Sequence, residues 1–203
     1  MNVFEELFKD PNFDVLSNLE RWNGTRLIKK ETVAEHSYLV ALFTRIMAEN
    51  IYGDNYEMVL LALDYALFHD IDEMITGDIN HIVKYNDMNG EVIRQALEDY
   101  VNHCIERDYK DREDSYSILL KRNVASKEVI PVSVRKLIKI ADWLACSFFI
   151  YKEICIGNKL LIDSYKRCIN KLHEACRIYL AYSDLSYNHE IIKQILTTKF
   201  EIQ

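Results

Sequence analysis

The stretch MVLLALDYALFHD, residues 58–70, decides the fold class, because it is the most apolar helical segment of the chain. Apolar side chains surround most of it, which predicts a central, buried helix that ends at about His69. The positions one and two turns before His69 are apolar, so we expect its imidazole on the buried face. The next residue, Asp70, then either pairs with a Lys or Arg or binds a cation, because a buried carboxylate is costly without a partner.

Helical periodicity continues on both sides of this stretch. Thr32 and Glu35 form a capping box, which predicts the start of a helix that ends at Gly53. Asp54 with Glu57 repeats the capping pattern before the central helix. Further helices are predicted over about 12–20, 90–107, 113–121, 133–156, 159–183 and 189–200. No segment is typical of a strand, so the predicted fold class is all-α, a helical bundle.

The composition limits which cellular compartment and which kinds of binding partner are expected. The formal net charge of −7, without a dense Lys/Arg cluster, argues against a nucleic-acid polymer, although local basic residues can hold one small phosphorylated ligand. We expect no membrane, because no run of about 18 apolar residues occurs, and no signal peptide, because no basic segment precedes an apolar run at the N-terminus. Five cysteines without a Cys-x-x-Cys pair predict a reducing compartment, and so a cytoplasmic protein.

Two more polar residues fall on apolar helix faces. His36 lies in line with the apolar stripe of its helix, where a lone His is more often a packed core residue than a ligand. Asp142 lies within the apolar segment 137–145, LIKIADWLA. A carboxylate in this position needs a partner, and a salt bridge with Lys139 or Arg135 is one solution. A bound cation is the other.

A single metal ion accounts for all of these polar residues at once. Imidazole nitrogens together with carboxylate oxygens suit Zn²⁺, Mn²⁺, Co²⁺ or Fe. Two His and two Asp leave coordination positions open, as catalytic sites do, and such an ion activates water near neutral pH. We therefore predict one divalent transition metal ion held by His36, His69, Asp70 and Asp142.

Glu73 is the candidate for proton transfer. It lies four residues after His69 and three after Asp70, so it projects toward the ion if that helix continues for one more turn. A carboxylate there can accept a proton from the attacking water or give one to the leaving oxygen. The alternative is a solvated Glu on a polar turn. Asp78, which follows Gly77, has the same two interpretations.

The order of these residues resembles the HD-domain phosphohydrolase superfamily, in particular the bacterial 5′-deoxynucleotidases and the related phage deoxynucleoside triphosphatases. Three blocks carry the resemblance: Arg21-Trp22 with 31–37 (ETVAEHS); 69–73 (HDIDE) with 76–78 (TGD) and 83–85 (VKY); and 139–142 (KIAD). We therefore expect a single HD domain over residues 1–203. Its motif core is 21–142, and its C-terminal helical part is 143–203.

The resemblance implies a role for each site residue. The family's metal ligands match the four predicted ligands, its catalytic carboxylate matches Glu73, and its second acidic residue beside the substrate matches Asp78. In similar enzymes the Arg-Trp pair lines the nucleotide pocket, and the Trp favours deoxyribose by crowding the 2′ position. Without the resemblance, Arg21 would be interpreted as a surface charge and Trp22 as a side chain that fills the core. The implied substrate-binding residues are Arg21, Trp22, His36, Asp78, His81 and Lys84.

The implied function is metal-dependent hydrolysis of deoxyribonucleotides, with a 5′-deoxynucleotidase that converts a dNMP to deoxynucleoside and phosphate as the leading prediction. A dATP-type phosphohydrolase or triphosphohydrolase is the alternative within this class, because residues 80–82 depart from the usual substrate loop. A non-catalytic nucleotide-binding regulator on an HD scaffold and a purely structural helical protein are alternatives from other classes. The resemblance also implies a homodimer or higher homo-oligomer in a bacterial or phage-infected cell. It leaves open a second metal at His81 or His103.

Overall fold

The computed structural model describes residues 14–79, 89–112, 115–126, 129–184 and 186–202. The helices in chain order are α1 Val15–Asn18, α2 Val33–Tyr52, α3 Tyr56–Phe68, α4 Glu73–Thr76, α5 Gly90–Cys104, α6 Ser115–Ser126, α7 Val132–Cys155, α8 Ile162–Tyr182 and α9 Glu190–Thr197. A π-helical turn, Ile105–Tyr109, extends α5, and a 3₁₀ turn, Lys159–Leu161, precedes α8. Over these ranges the structure contains no strand, only an isolated bridge between Glu20 and Thr32, so the all-α prediction is confirmed.

The predicted capping box opens α2. The Thr32 N–H donates to the Glu35 carboxylate over 3.0 Å, and the Glu35 N–H donates to the Thr32 hydroxyl oxygen over 3.2 Å. The helix ends before Gly53, whose φ of 55° lies in the left-handed region that glycine adopts without steric cost. Three predicted helix ranges were wrong. The helix α1 is shorter than 12–20, α6 continues to Ser126, past the predicted end at 121, and α9 ends at Thr197, before the predicted end at 200.

The helix α3 differs from the prediction in burial and in its capping residue. The Met58 N–H donates to the Asn55 side-chain oxygen over 3.3 Å, so Asn55 rather than Asp54 supplies the cap. The helix ends at Phe68, and it buries one face only, formed by Val59, Ala62 and Ala66. The rest of the helix surface leaves four large apolar side chains exposed, those of Tyr56, Leu60, Leu61 and Leu67. A helix that is apolar all round has no periodicity to show which face is buried.

The described chain forms two compact units. The first, named here the α7 unit, consists of the described residues of 27–29, 36–68 and 130–203. Its centre is α7, which packs against α3 and α8, while α9 packs against α8. The fully buried core side chains of this unit include Met47, Leu137, Ile140, Ile150, Leu172, Tyr179 and Ile192. No described helix combines the length and the apolar character that a membrane crossing needs.

The second unit, named the α5 unit, consists of the described residues of 1–26, 30–35 and 69–129. In it, α4 packs against α1 and α5, and α6 packs against the π-helical turn. Two backbone hydrogen bonds of 2.9 Å fix a short antiparallel pairing, from the Arg21 N–H to the Glu31 carbonyl and from the Val33 N–H to the Leu19 carbonyl. This pairing holds Arg21 and Trp22, named here the Arg-Trp block, beside the start of α2.

A buried carboxylate near the C-terminal end of α7 anchors the segment 27–29 within the α7 unit. The Glu153 side chain is 1% exposed, and its two oxygens accept the backbone N–H groups of Ile28 and Lys29, each over 2.7 Å. The Asn158 side-chain amide donates to the same carboxylate over 2.8 Å. Burial raises the pKa of Glu153, but the three hydrogen bonds outweigh it and hold that pKa below its ordinary value.

We expect Glu153→Gln to lower the free energy of unfolding by about 2 kcal/mol at pH 7. The new amide nitrogen sets a donor against a donor N–H of the segment 27–29. Because the folded pKa of Glu153 is depressed, its carboxylate stabilises the fold above the unfolded pKa, and this contribution is lost as pH falls through the folded value. Denaturant unfolding at pH 7 and below about pH 4 should therefore show the difference between the variants shrinking on acidification. A constant difference would contradict this account.

Candidate active site

His36 and Asp142 face each other inside the α7 unit. The His36 side chain is 0% exposed, and its Nε2 atom lies 3.1 Å from Asp142 Oδ1. The other carboxylate oxygen, Oδ2, lies 2.6 Å from Lys139 Nζ, so the salt bridge that the sequence offered as an alternative is present. The two oxygens have different partners. The ion pair with Lys139 leaves Oδ1 directed at His36 and at the thiol of Cys146, 3.7 Å away.

These residues fit a divalent transition metal ion. The ligand atoms of His36, Asp142 and Cys146 all lie within 4.8 Å of one another, as a shared ion requires. Imidazole nitrogen, carboxylate oxygen and sulfur are the donors that bind Zn²⁺ and Co²⁺ in proteins. The carboxylate also carries the negative charge that a cation needs in a largely buried setting. The chemistry of the donor set therefore supports a metal site at this position.

His69 and Asp70 form a second pair, in the α5 unit. His69 Nε2 lies 3.1 Å from Asp70 Oδ2, with side chains that are mostly buried. Both residues follow the end of α3 rather than lying within it. On a helix, neighbouring side chains diverge by about 100°. The turn after Phe68 instead lets the imidazole and the carboxylate converge.

Glu73 begins a helix of its own rather than extending α3. Its N–H donates to the Asp70 carbonyl over 3.0 Å, and α4 runs from Glu73 to Thr76. The helix α3 therefore does not continue through Glu73, as the prediction that Glu73 projects toward the ion had assumed. The Glu73 side chain is nonetheless 5% exposed, which is incompatible with a solvated Glu on a polar turn. A buried carboxylate one turn after the His-Asp pair is available for proton transfer.

Trp22 is held in an unusual backbone conformation by two carboxylates of the α5 unit. Its φ of 67° lies in the left-handed region, which is costly for a bulky side chain. The Trp22 N–H donates to Asp78 Oδ2 over 3.0 Å, and the indole N–H donates to Glu31 Oε2 over 2.8 Å. The Asn23 side-chain amide adds a 3.0 Å hydrogen bond to the Asp78 carbonyl. Asp78 therefore positions the Arg-Trp block.

Arg21 lies beside Trp22 and is not a surface charge. Its side chain is 12% exposed, and Nη1 lies 3.5 Å from Glu31 Oε2. The guanidinium carbon is 6.0 Å from the centre of the Trp22 ring. The structure thus brings together Arg21, Trp22 and Asp78, three of the predicted substrate-binding residues.

Two predicted substrate residues, His81 and Lys84, lie outside the described residues. His103 is exposed on α5, and no metal-binding group found among the described residues includes it. Three residues that organise the site had no role predicted for them from the sequence. Cys146 and Glu153 follow Asp142 by four and eleven residues, and this helical spacing is a signal that places them on the same stripe of α7. Glu31 precedes the capping box, and no periodic signal marks it.

Glu31 is the buried carboxylate on which both side chains of the Arg-Trp block converge. We expect Glu31→Ala to lower the free energy of unfolding by about 3 kcal/mol, because it removes the buried carboxylate that accepts the Trp22 indole N–H and pairs with the Arg21 guanidinium. Glu31→Gln should cost less, since its amide oxygen still accepts the indole N–H. Denaturant unfolding of the two variants tests this ranking, and equal stabilities would contradict it.

Solved structures share the fold of this chain. The cyanophage S-2L HD phosphohydrolase (DatZ), solved with dA and one catalytic Zn²⁺ ion, matches with a TM-score of 0.62 at 19% identity over 91% of this chain and 90% of that chain. An HD-domain phosphohydrolase from Listeria innocua (lin2634) matches with a TM-score of 0.64 at 23% identity over 95% and 85% of the two chains. The fold is therefore that of the HD-domain phosphohydrolases.

The family is defined more narrowly by sequence. The model of the family described as 5′-deoxynucleotidase YfbR-like matches residues 12–183, and the chain belongs to this family. A 5′-deoxynucleotidase of Yersinia pseudotuberculosis is 28% identical over 161 residues, which are 77% of this chain and 79% of the relative. The 5′-deoxynucleotidase YfbR of Escherichia coli is 28% identical over 149 residues, 70% of this chain and 71% of the relative. The predicted resemblance is confirmed.

Proposed function

We propose that this protein is a metal-dependent 5′-deoxynucleotidase, which converts a deoxynucleoside 5′-monophosphate to the deoxynucleoside and phosphate. Membership of the YfbR-like family and the names of the bacterial relatives support this substrate class. The observation that carries the proposal is the buried His36 facing one oxygen of Asp142 at 3.1 Å, while Lys139 holds the other oxygen. A buried imidazole beside a carboxylate whose other oxygen is held in place can serve as a pair of metal ligands, which supports the proposal.

We propose that His36, His69, Asp70 and Asp142 together hold one divalent transition metal ion, so that residues 1–203 act as one HD domain. The match of these four residues to the ligand order of the family supports the assignment, and so does the 3.1 Å approach of imidazole and carboxylate within each His-Asp pair. Zn²⁺, Co²⁺, Mn²⁺ and Fe are the candidates by donor chemistry. When bound there, the ion would supply activation of water and polarisation of a phosphoryl oxygen.

Proton transfer and substrate binding are then assigned to side chains of this chain. Glu73 accepts a proton from the attacking water at its carboxylate and returns it to the leaving 5′ oxygen. Arg21 and Lys84 offset negative charge on the phosphate, and His81 is a further substrate-binding residue in this proposal. Trp22 offers a flat apolar wall that crowds the 2′ position of the sugar.

We place Asp78 beside the substrate because it holds Trp22 in position. Its carboxylate fixes the Trp22 backbone, and its own conformation follows Gly77, whose φ of 71° is left-handed. A change at Asp78 should therefore alter discrimination between deoxyribose and ribose before it alters turnover.

Two statements concern the setting of the enzyme. We propose a homodimer or larger homo-oligomer, supported by the exposed apolar side chains of Tyr38, Leu42 and Ile46, which are spaced by four residues along α2. Sedimentation of the wild type against Leu42→Glu tests this, and a monomeric wild type would contradict it.

We also place the activity in the cytoplasm of a bacterial or phage-infected cell, supported by five free cysteines and the bacterial relatives.

A second candidate is hydrolysis of a deoxynucleoside triphosphate, which the sequence resemblance to phage deoxynucleoside triphosphatases implies. Phosphate release from matched panels of dNMPs, NMPs and dNTPs separates the two, with inorganic phosphate, pyrophosphate and triphosphate measured as products. The proposal expects release from dNMPs, little from NMPs and none from dNTPs. Preference for dNTPs would support the second candidate, and nucleotide binding without any release would identify a non-catalytic regulator.

A further inference from the structure

We propose that the thiol of Cys146 is a further ligand of the ion held by His36 and Asp142. This inference rests on the proposed metal site and concerns its composition. Cys146 lies one helical turn after Asp142 on α7, and both side chains point to the same face. Two ligands separated by four residues on one helix are a recurrent way to bind zinc, because their donor atoms reach a common point.

The distances between the donor atoms support a shared ion. Metal–ligand bonds of about 2.1 Å for nitrogen and oxygen and about 2.3 Å for sulfur place tetrahedrally arranged donors about 3.4 Å (N and O) and about 3.6 Å (O and S) apart. The observed separations are 3.1 Å from His36 Nε2 to Asp142 Oδ1 and 3.7 Å from Asp142 Oδ1 to Cys146 Sγ. All three donors also lie within 4.8 Å of one another.

A hydrogen bond from the thiol to Asp142 is the competing explanation. A thiol is a weak donor, and the carboxylate already faces two stronger partners, His36 at Oδ1 and Lys139 at Oδ2. Coordination to the metal ion would instead use the buried Cys146 sulfur as an electron-pair donor. When the sulfur–metal bond forms, the thiol proton passes to solvent and sulfur donates an electron pair to the ion. A sulfur ligand would bias the site toward Zn²⁺ and Co²⁺ over Mn²⁺.

Cobalt binding to the metal-stripped full-length protein tests the proposal without recourse to activity. The wild type should bind Co²⁺ and show a sulfur-to-cobalt charge-transfer band in the near ultraviolet. Cys146→Ser should lose the band and bind Zn²⁺ at least about tenfold more weakly. The matched control is Cys155→Ser, which removes an exposed thiol on the same helix and should keep the band.

X-ray absorption of the wild-type zinc protein gives a second readout that needs no variant. A sulfur shell at about 2.3 Å is expected beside the nitrogen and oxygen ligands. Bound metal without a sulfur shell or charge-transfer band, or a band that survives in Cys146→Ser, would overturn the role of Cys146 and leave the proposed function intact. Failure to bind any metal would overturn both.

Discussion

Asp142→Asn should lower kcat/KM for hydrolysis of a deoxynucleoside 5′-monophosphate by at least about 10³-fold, because the loss of a metal ligand removes several kcal/mol of transition-state stabilisation. The amide keeps the size of the side chain but loses the charge that faces His36 and Lys139. Steady-state kinetics together with the metal content of the purified variant measure the effect. Both quantities should fall together.

The matched control for this variant is Asp163→Asn. Asp163 lies on α8 with a side chain that is 82% exposed, and its ion pair with Lys166 is 3.8 Å long. The same chemical change there should leave both activity and metal content unaltered. Thermal unfolding of Asp142→Asn separates a lost ligand from a lost fold, because Asp142 also pairs with Lys139. Wild-type metal content and activity in a folded Asp142→Asn would contradict the assignment.

Glu73→Gln should lower kcat by about 10²- to 10⁴-fold, which is the range for removal of a general acid or base. The amide cannot accept and return a proton, yet it preserves the shape of the buried side chain at the start of α4. Metal content should stay at the wild-type value, since Glu73 is not assigned as a ligand. This separates the variant from Asp142→Asn, which loses metal and activity together.

Glu98→Gln provides the control for Glu73→Gln. Glu98 is exposed on α5 within the same unit, so neutralising it should leave kcat unchanged. If Glu73→Gln turned over substrate at the wild-type rate with full metal content, proton transfer would have to be assigned to another group.

Local signals predicted most of the fold. The capping box of Thr32 and Glu35 uses hydrogen bonds within one turn, so the sequence determines it directly, and α2 begins where expected. Long amphipathic helices such as α7 and α8 were also predicted to within a few residues. The burial of α3 was not predictable, because Leu60 and Leu67 are as apolar as the residues that the helix buries.

Contacts within the candidate site were predictable where helical periodicity marks both residues, and they were missed where at least one residue lies outside a helix. His36 and Asp142 lie on apolar faces whose period is visible, and their pairing follows from those faces. Trp22 differs, because its left-handed backbone depends on Asp78, 56 residues further along the chain. Periodicity carries no information about such a contact. The helix break between His69 and Glu73 was missed because no Gly or Pro marks it.

The most direct measurement of the central claim is phosphate release from a dNMP as metal-stripped protein is titrated with Co²⁺ or Zn²⁺. We predict no activity in the stripped protein and a linear rise that stops at one ion per chain. The same titration of Asp142→Asn should show no such end point. Full activity after metal removal, or a requirement for two ions per chain, would contradict a mononuclear site built from His36, His69, Asp70 and Asp142.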